Sequence, residues 1–280
     1  RAKKSPYQKK SIKDKENQFE MLKRYELTFL EHKKIQKFCK KNKLNYTASP
    51  FDEESLFFLK SMKPKFIKIG SGEITNFFLL NKAKTFNGEI ILSTGMSYIK
   101  EVEEAYRLLK TKNNKVTLMY CCSSYPTKVQ DIDFNIMLNL KKKFKCEIGF
   151  SDHTIGLDAA ITASSIGAKY IEKHFTLNKK SNGPDHAASI DFNELNILSK
   201  KIKLINNFFK SGKKIILKSE RTNRKLSRKS LVAKKLIKKN SIITIKDLTA
   251  KRPGDGKSPM LIKKIVGSKS KKEYSIDDKI

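Results

Sequence analysis

From Leu44 to His174 the chain alternates short apolar runs with stretches of helical period, and this alternation limits the fold more than any other feature. The runs LNYTA (44–48), KFIKI (65–69), EIILS (89–93), VTLMYC (116–121), CEIGF (146–150) and AKYIEKH (168–174) all have strand length. Between them, Ile99, Val102, Tyr106 and Leu109 recur every three to four residues, the apolar stripe of a helix. Leu195, Leu198, Ile202 and Ile205 make a second stripe, opened by Asp191 with Glu194 three residues on, an N-capping signal. Strands joined by helices run parallel. The reading yields six βα units, preceded by a helical piece over Gln18–Arg24 and Glu31–Lys41. Six strands would suit an open doubly wound sheet, whereas a TIM-type (β/α)8 barrel has eight. The polar residues at the strand ends favour the barrel, so the expected fold is that barrel without its first two strands.

The pattern dissolves over 211–229, a stretch rich in Lys, Ser, Arg and Asn that reads as a linker. Residues 230–280 follow as a small β-rich domain, with β-branched runs separated by turn signals at KKN and PGDG. The expected division is a catalytic barrel over 1–210, the linker, and this second domain.

At 280 residues the chain can bury a sizeable core. No apolar run approaches membrane-span length. The chain opens on Arg1, with no apolar stretch behind it, so it reads as a fragment without a secretory leader, and the cytoplasm is the expected compartment. Cys39, Cys121, Cys122 and Cys146 form no CxxC pair and no zinc spacing, so reduced thiols are expected. The net charge of +33 raises the question of nucleic acid, but the lysines are spread along the chain and no RNA-recognition signature or zinc finger accompanies them. They read as a solvated surface, and their field would favour an anionic substrate.

In a parallel barrel, chemistry sits where strands end. Here the ends are Ser49, then KIGSGE (Lys68–Glu73), STGMS (Ser93–Ser97), CCSSYP (Cys121–Pro126), FSDHT (Phe150–Thr154) and EKHFT (Glu172–Thr176). A single Ser after a strand signals only a turn, whereas six polar termini converge on one mouth. Side-chain alternation puts Ser151 and His153 on one face with Asp152 opposite, which argues against a Ser-Asp-His triad. It also turns Glu172 and His174 to one face, with Lys173 opposite. His153 and His174, on neighbouring strand ends, are placed to hold one divalent metal; the alternative is that each only hydrogen-bonds in a polar pore. With two ligands in view, a closed structural zinc site is not expected. Glu172 reads as a structural partner for an inward lysine such as Lys68. GDGK (254–257) lacks phosphate-loop spacing and reads as a turn.

The segments YQKK, NQFEMLKRYEL, SPFDEESL, KIGSGEITN, ILSTGMS, SSYPT, GFSDHTIGLDAA, IEKHFTLNKKSNGPDHAAS, KSLVA and LTAKRPGDGKSPM, taken in order, resemble the bacterial sialic acid synthase family, whose members condense phosphoenolpyruvate with a hexosamine. The C-terminal part resembles that family's antifreeze-like (SAF) domain. The resemblance implies a metal-dependent reaction of phosphoenolpyruvate, water and an open-chain N-acyl hexosamine. N-acetylmannosamine is the default sugar. The YQKK…QFEML start and GPDHAAS also resemble N,N'-diacetyllegionaminate synthases, which use a 2,4-diacetamido-trideoxy-mannose.

By the same resemblance, Ser49, Lys68, Ser71, Ser93, Ser123 and Ser151 would hold the anionic groups of phosphoenolpyruvate. Glu73 would act at the reacting centre, Tyr125 and Asp185 would bind the sugar, and His153 and His174 would hold Mn2+ (or Mg2+ or Co2+). Arg252 would reach the N-acyl group in the partner subunit of a domain-swapped homodimer. The family's EIGxNH-like and KFQ-like segments, with their Glu and Lys, have no counterpart here. The strand before the YP motif reads YCC (Tyr120–Cys122) where the family often has HCT. Two missing strands would leave open edges, so this stretch alone is expected to be poorly folded or inactive. Two rival classes are a basic nucleic-acid-binding protein and a catalytically dead fragment.

Overall fold

The structure, a computed structural model, describes residues 17–183 and 185–280; the YQKK segment (7–10) and Pro184 lie outside the described residues. The chain divides after Lys210 into two compact units.

The first unit opens with α1 (Gln18–Tyr25) and α2 (Phe29–Lys41). Both begin on capping boxes, Asn17 with Glu20 and Thr28 with Glu31, which satisfy N–H groups that a helix start would otherwise leave unpaired. Next come α3 (Glu53–Ser61), β1 (Phe66–Ile69), α4 (Phe77–Ala83), β2 (Glu89–Ser93), α5 (Ile99–Leu109) and β3 (Lys115–Cys121). The unit continues with α6 (Phe134–Phe144), β4 (Ile148–Asp152), α7 (Asp158–Ser165), β5 (Tyr170–Lys173) and α8 (Phe192–Phe208). The Asp191–Glu194 signal is realised as a reciprocal capping box at α8, with both bonds at 2.9 Å.

The five strands form one parallel sheet in sequence order. Flat, such a sheet would hold β1 and β5 about 19 Å apart. Instead the Phe66 and Tyr170 rings lie 6.0 Å apart, and Lys68 Nζ lies 3.2 Å from Glu172 Oε1. The sheet is therefore curled into a half-barrel. On its outer face Ile67, Ile69, Ile90, Leu92, Leu118, Ile148 and Phe150 pack against the helices and form the main core. Val102 and Leu109 of the α5 stripe are buried there. The inner face alternates with it and carries Lys68, Ser93, Ser151 and Glu172.

One expectation is corrected. LNYTA (44–48) is extended but joins no ladder. The Thr47 hydroxyl donates to the Phe66 carbonyl at 2.9 Å, and the Phe51 ring stands 3.9 Å from where a Cβ on Gly70 would sit. Segment 47–51 thus tracks β1 in parallel. Pro50, which has no N–H, ends the run, and a side-chain donor stands where a strand would use its backbone.

The second unit contains β6 (Ser230–Ala233), antiparallel to β7 (Leu248–Lys251), and the short α10 (Ile262–Ile265), around a core that includes Leu231, Ile237, Ile243, Ile265 and Tyr274. Part of the expected linker is α9 (Arg221–Ser227), which belongs to this unit: the Gly254 N–H donates to the Lys225 carbonyl at 2.7 Å. GDGK is a bend, as expected. Among the described residues, no helix is long and apolar enough to cross a membrane.

Candidate active site

The C-terminal ends of the strands carry two adjoining groups of side chains. The first consists of hydroxyls and one ammonium. Ser71, in the turn after β1, accepts a hydrogen bond from the Gly95 N–H at 3.0 Å and lies 3.2 Å from Cys121 Sγ. A Cβ on Gly95 would stand 2.9 Å from Ser71 Oγ and 3.0 Å from Cys121 Sγ, and it would press harder still on Ser123 Oγ. Only glycine lets these three side chains close on one spot. The buried Ser93 hydroxyl, at the end of β2, has no partner, as expected of a group that awaits a ligand. Lys68, on the inner face of β1, pairs with Glu172, whose Oε1 also accepts the Ser151 hydroxyl at 2.7 Å.

The second group is aromatic and acidic. The His153 and His174 ring centroids are 5.3 Å apart, and the Tyr125 ring lies 4.3 Å from the first and 5.7 Å from the second. His153 Nδ1 is 2.9 Å from the Cys122 carbonyl oxygen, which can only accept. The ring therefore carries its proton on Nδ1 and leaves Nε2 with a free lone pair. Nε2 faces the Ser151 hydroxyl at 3.4 Å. Burial pushes the His153 pKa down, and the neighbouring His174 adds to the effect, so the ring is neutral at neutral pH. Asp185 places Oδ2 3.6 Å from His174 Nδ1, while its buried Oδ1 has no partner.

These residues fit a divalent ion in an open site. An imidazole nitrogen sits about 2.1 Å from such an ion, so two rings sharing one have centroids about 5 Å apart. A backbone acceptor on the remote nitrogen is the usual support for a ligating histidine. Among the described residues, no group of three His, Cys, Asp or Glu is arranged to hold a metal by itself, so other positions would fall to water or substrate.

The structure thus brings together Lys68, Ser71, Ser93, Ser123, Ser151, Tyr125, His153, His174 and Asp185. Glu73 lies in the same turn as Ser71 and accepts the Asn76 side-chain amide at 2.6 Å. Ser49 is half-buried in the segment that tracks β1. Arg252 lies in the second unit, where its Nε donates to the Ser227 carbonyl at 3.0 Å. Glu172 pairs with Lys68, as the alternation predicts, and Asp152 points away from His153 into an ion pair with Lys173, which rules out the triad. Sequence reasoning missed Gly95 and Cys121; the glycine within STGMS at a strand end was the available signal.

The NeuB family matches residues 1–214 and the SAF domain residues 228–275. The N,N'-diacetyllegionaminic acid synthase of Campylobacter jejuni is 41% identical over all of this chain and 85% of its own length. The pseudaminic acid synthase of Helicobacter pylori is 34% identical over 92% of this chain and 76% of its own. The crystal structure of N-acetylneuraminic acid synthetase from Leptospira borgpetersenii, 31% identical, superposes with a TM-score of 0.69 over 73% of this chain and 72% of that one. With the family model over residues 1–214 and a relative 41% identical over the whole chain, the chain belongs to the NeuB family.

Proposed function

We propose that this protein condenses phosphoenolpyruvate with the aldehyde of an open-chain N-acyl hexosamine, adding water, to give a nonulosonic acid and phosphate. The observation that carries the proposal is one mouth in which an anion-holding cluster adjoins two facing imidazoles. Lys68 and the hydroxyls of Ser49, Ser71, Ser93, Ser123 and Ser151 hold the phosphate and carboxylate, since an ammonium with hydroxyl donors suits an anion that must later leave. Glu172 keeps Lys68 and Ser151 aligned. Tyr125 and Asp185 bind hydroxyls of the sugar and orient its aldehyde towards carbon 3 of phosphoenolpyruvate. A divalent ion on His153 and His174, Mn2+ in the first instance, would supply positive charge to the aldehyde oxygen as it becomes an alkoxide. Glu73 takes a proton from the water that adds at carbon 2, and departure of phosphate leaves the keto group.

Arg252 is assigned to the N-acyl group of a substrate held by a second copy of the chain, in a cytoplasmic homodimer. The likeness to a legionaminic acid synthase over the whole chain supports the 2,4-diacetamido-trideoxy-mannose as substrate ahead of N-acetylmannosamine. The test is phosphate release by the full-length protein from phosphoenolpyruvate with Mn2+ and each sugar in turn, before and after a chelator. Turnover with one sugar, abolished by the chelator and by His153→Ala or His174→Ala, is the expected result. No release with either sugar refutes the proposal.

A further inference from the structure

Behind the two imidazoles, on the opposite face of the sheet, lies a buried ion pair that the chemistry above does not use. Asp152 and Lys173 are the last paired residues of β4 and β5, and His153 and His174 follow them directly. Their side chains are 0% and 3% exposed. Lys173 Nζ donates to Asp152 Oδ2 and to the Thr154 carbonyl, both at 2.7 Å. Asp152 Oδ1 accepts the Thr154 N–H at 2.8 Å and the Thr154 hydroxyl at 2.7 Å. The clasp therefore grips the residues on both sides of His153, and the gripping lysine is the residue before His174.

Stability alone does not explain the arrangement. Apolar residues of similar volume in place of a buried pair often leave a protein as stable, or more so. An ion pair with fixed donor geometry adds register, because a one-residue slip would turn one partner to the other face and leave the other charge buried and unpaired. We infer that Asp152 and Lys173 are positioning residues, holding β4 and β5 in the register that sets the separation of the His153 and His174 rings. The inference rests on reading the two imidazoles as one cation-binding pair.

The double variant Asp152→Asn/Lys173→Met tests it. Asn keeps an acceptor for Thr154 and Met keeps the bulk of Lys, while the charge pair between strands is lost. Three measurements on the protein decide the matter: thermal melting, the NMR signal of the His153 Nδ1–H held by the Cys122 carbonyl, and Mn2+ affinity by titration of the free-ion EPR signal. The expected result is a cooperative melt, a His153 signal that is shifted or lost to exchange, and Mn2+ affinity reduced about 10- to 100-fold. A cooperative melt with the wild-type signal and wild-type affinity overturns the inference and leaves the cation reading standing. Wild-type protein that binds Mn2+ no better than His153→Ala overturns the cation reading instead. The histidine signal then decides the positioning role alone, unchanged in the double variant against it and altered in its favour. Should the double variant fail to fold, Asp152→Asn is measured in its place, and an unchanged signal and affinity there overturn the inference.

Discussion

Gly95→Ala should damage the site far more than the fold. The new Cβ would stand 2.9 Å from Ser71 Oγ and 3.0 Å from Cys121 Sγ, with Ser123 Oγ closer still, where carbon contacts normally begin at about 3.5 Å. Each neighbour must yield by roughly half an ångström or more. All three are short side chains that can rotate, and Gly95 does not occupy the left-handed backbone region, so no backbone strain adds to the cost. The stability loss falls at the low end of overpacking, about 1 kcal/mol, a Tm drop of about 2–4 °C for a unit of this size. Rotating Ser71 or Ser123, however, withdraws a hydroxyl assigned to phosphoenolpyruvate. A hydrogen bond to a charged group contributes about 1.5–3 kcal/mol, so kcat/KM for phosphoenolpyruvate should fall about 10- to 150-fold. Phosphate release at varied phosphoenolpyruvate, together with a thermal melt, measures both effects. Gly72→Ala is the control, since nothing lies within 4 Å of its Cβ position. A kcat/KM within twofold of wild type would refute the assignment of these hydroxyls to the anion.

Three further outcomes are expected. At the opposite end of the half-barrel Glu89 accepts from Thr117 (2.5 Å), Tyr170 (2.7 Å) and Lys169 (3.1 Å), so Glu89→Ala should cost about 2 kcal/mol and lower Tm by about 4–8 °C without changing KM; an altered KM at unchanged Tm would contradict this. Because burial depresses the folded pKa of His153 below 6.5, its effect on stability is absent above pH 6.5 and grows as the pH falls through the folded value, so Tm should drop below pH 6.5 in wild type and less steeply in His153→Gln; superimposable curves of Tm against pH would count against it. In the second unit a hydrogen bond from Lys235, with others from Thr244, holds the Asp247 pKa at about 2 rather than 3.8, so its stabilisation is present above pH 3.8 and is lost as the pH falls towards 2; circular dichroism should show Asp247→Asn lacking that acid-labile step.

The strands and their faces were legible because alternation is a local rule: Ile67 and Ile69 face the helices while Lys68 faces the mouth, as the pattern KFIKI requires. The failure at LNYTA has an equally local cause. Apolar content makes a segment extended, but a ladder needs backbone donors in register with a neighbour, and composition does not reveal register. The His153–His174 pair could be predicted because both follow the last paired residues of adjacent strands. The Ser71–Gly95–Cys121 contact could not. It joins the ends of three strands, and its geometry depends on how tightly the sheet curls.

That curl makes one site out of two groups. β1 to β3 supply the ammonium and most of the hydroxyls, whereas β4, β5 and the loops around them supply the imidazoles, Tyr125 and Asp185. A single carboxylate oxygen of Glu172 takes both Lys68 from β1 and Ser151 from β4, so it ties the two groups across the open side of the sheet. The groups suit opposite chemistries, since donors and a fixed cation attract an anion, whereas imidazole nitrogens and a carboxylate attract a cation or a polarised aldehyde. If they merged, the lysine and a bound divalent ion would compete for the same anion. Held side by side with Glu172 between them, they can seat a nucleophile and an electrophile at bonding distance while each keeps its own counter-charges. The proposed condensation needs that separation, whichever hexosamine is its substrate.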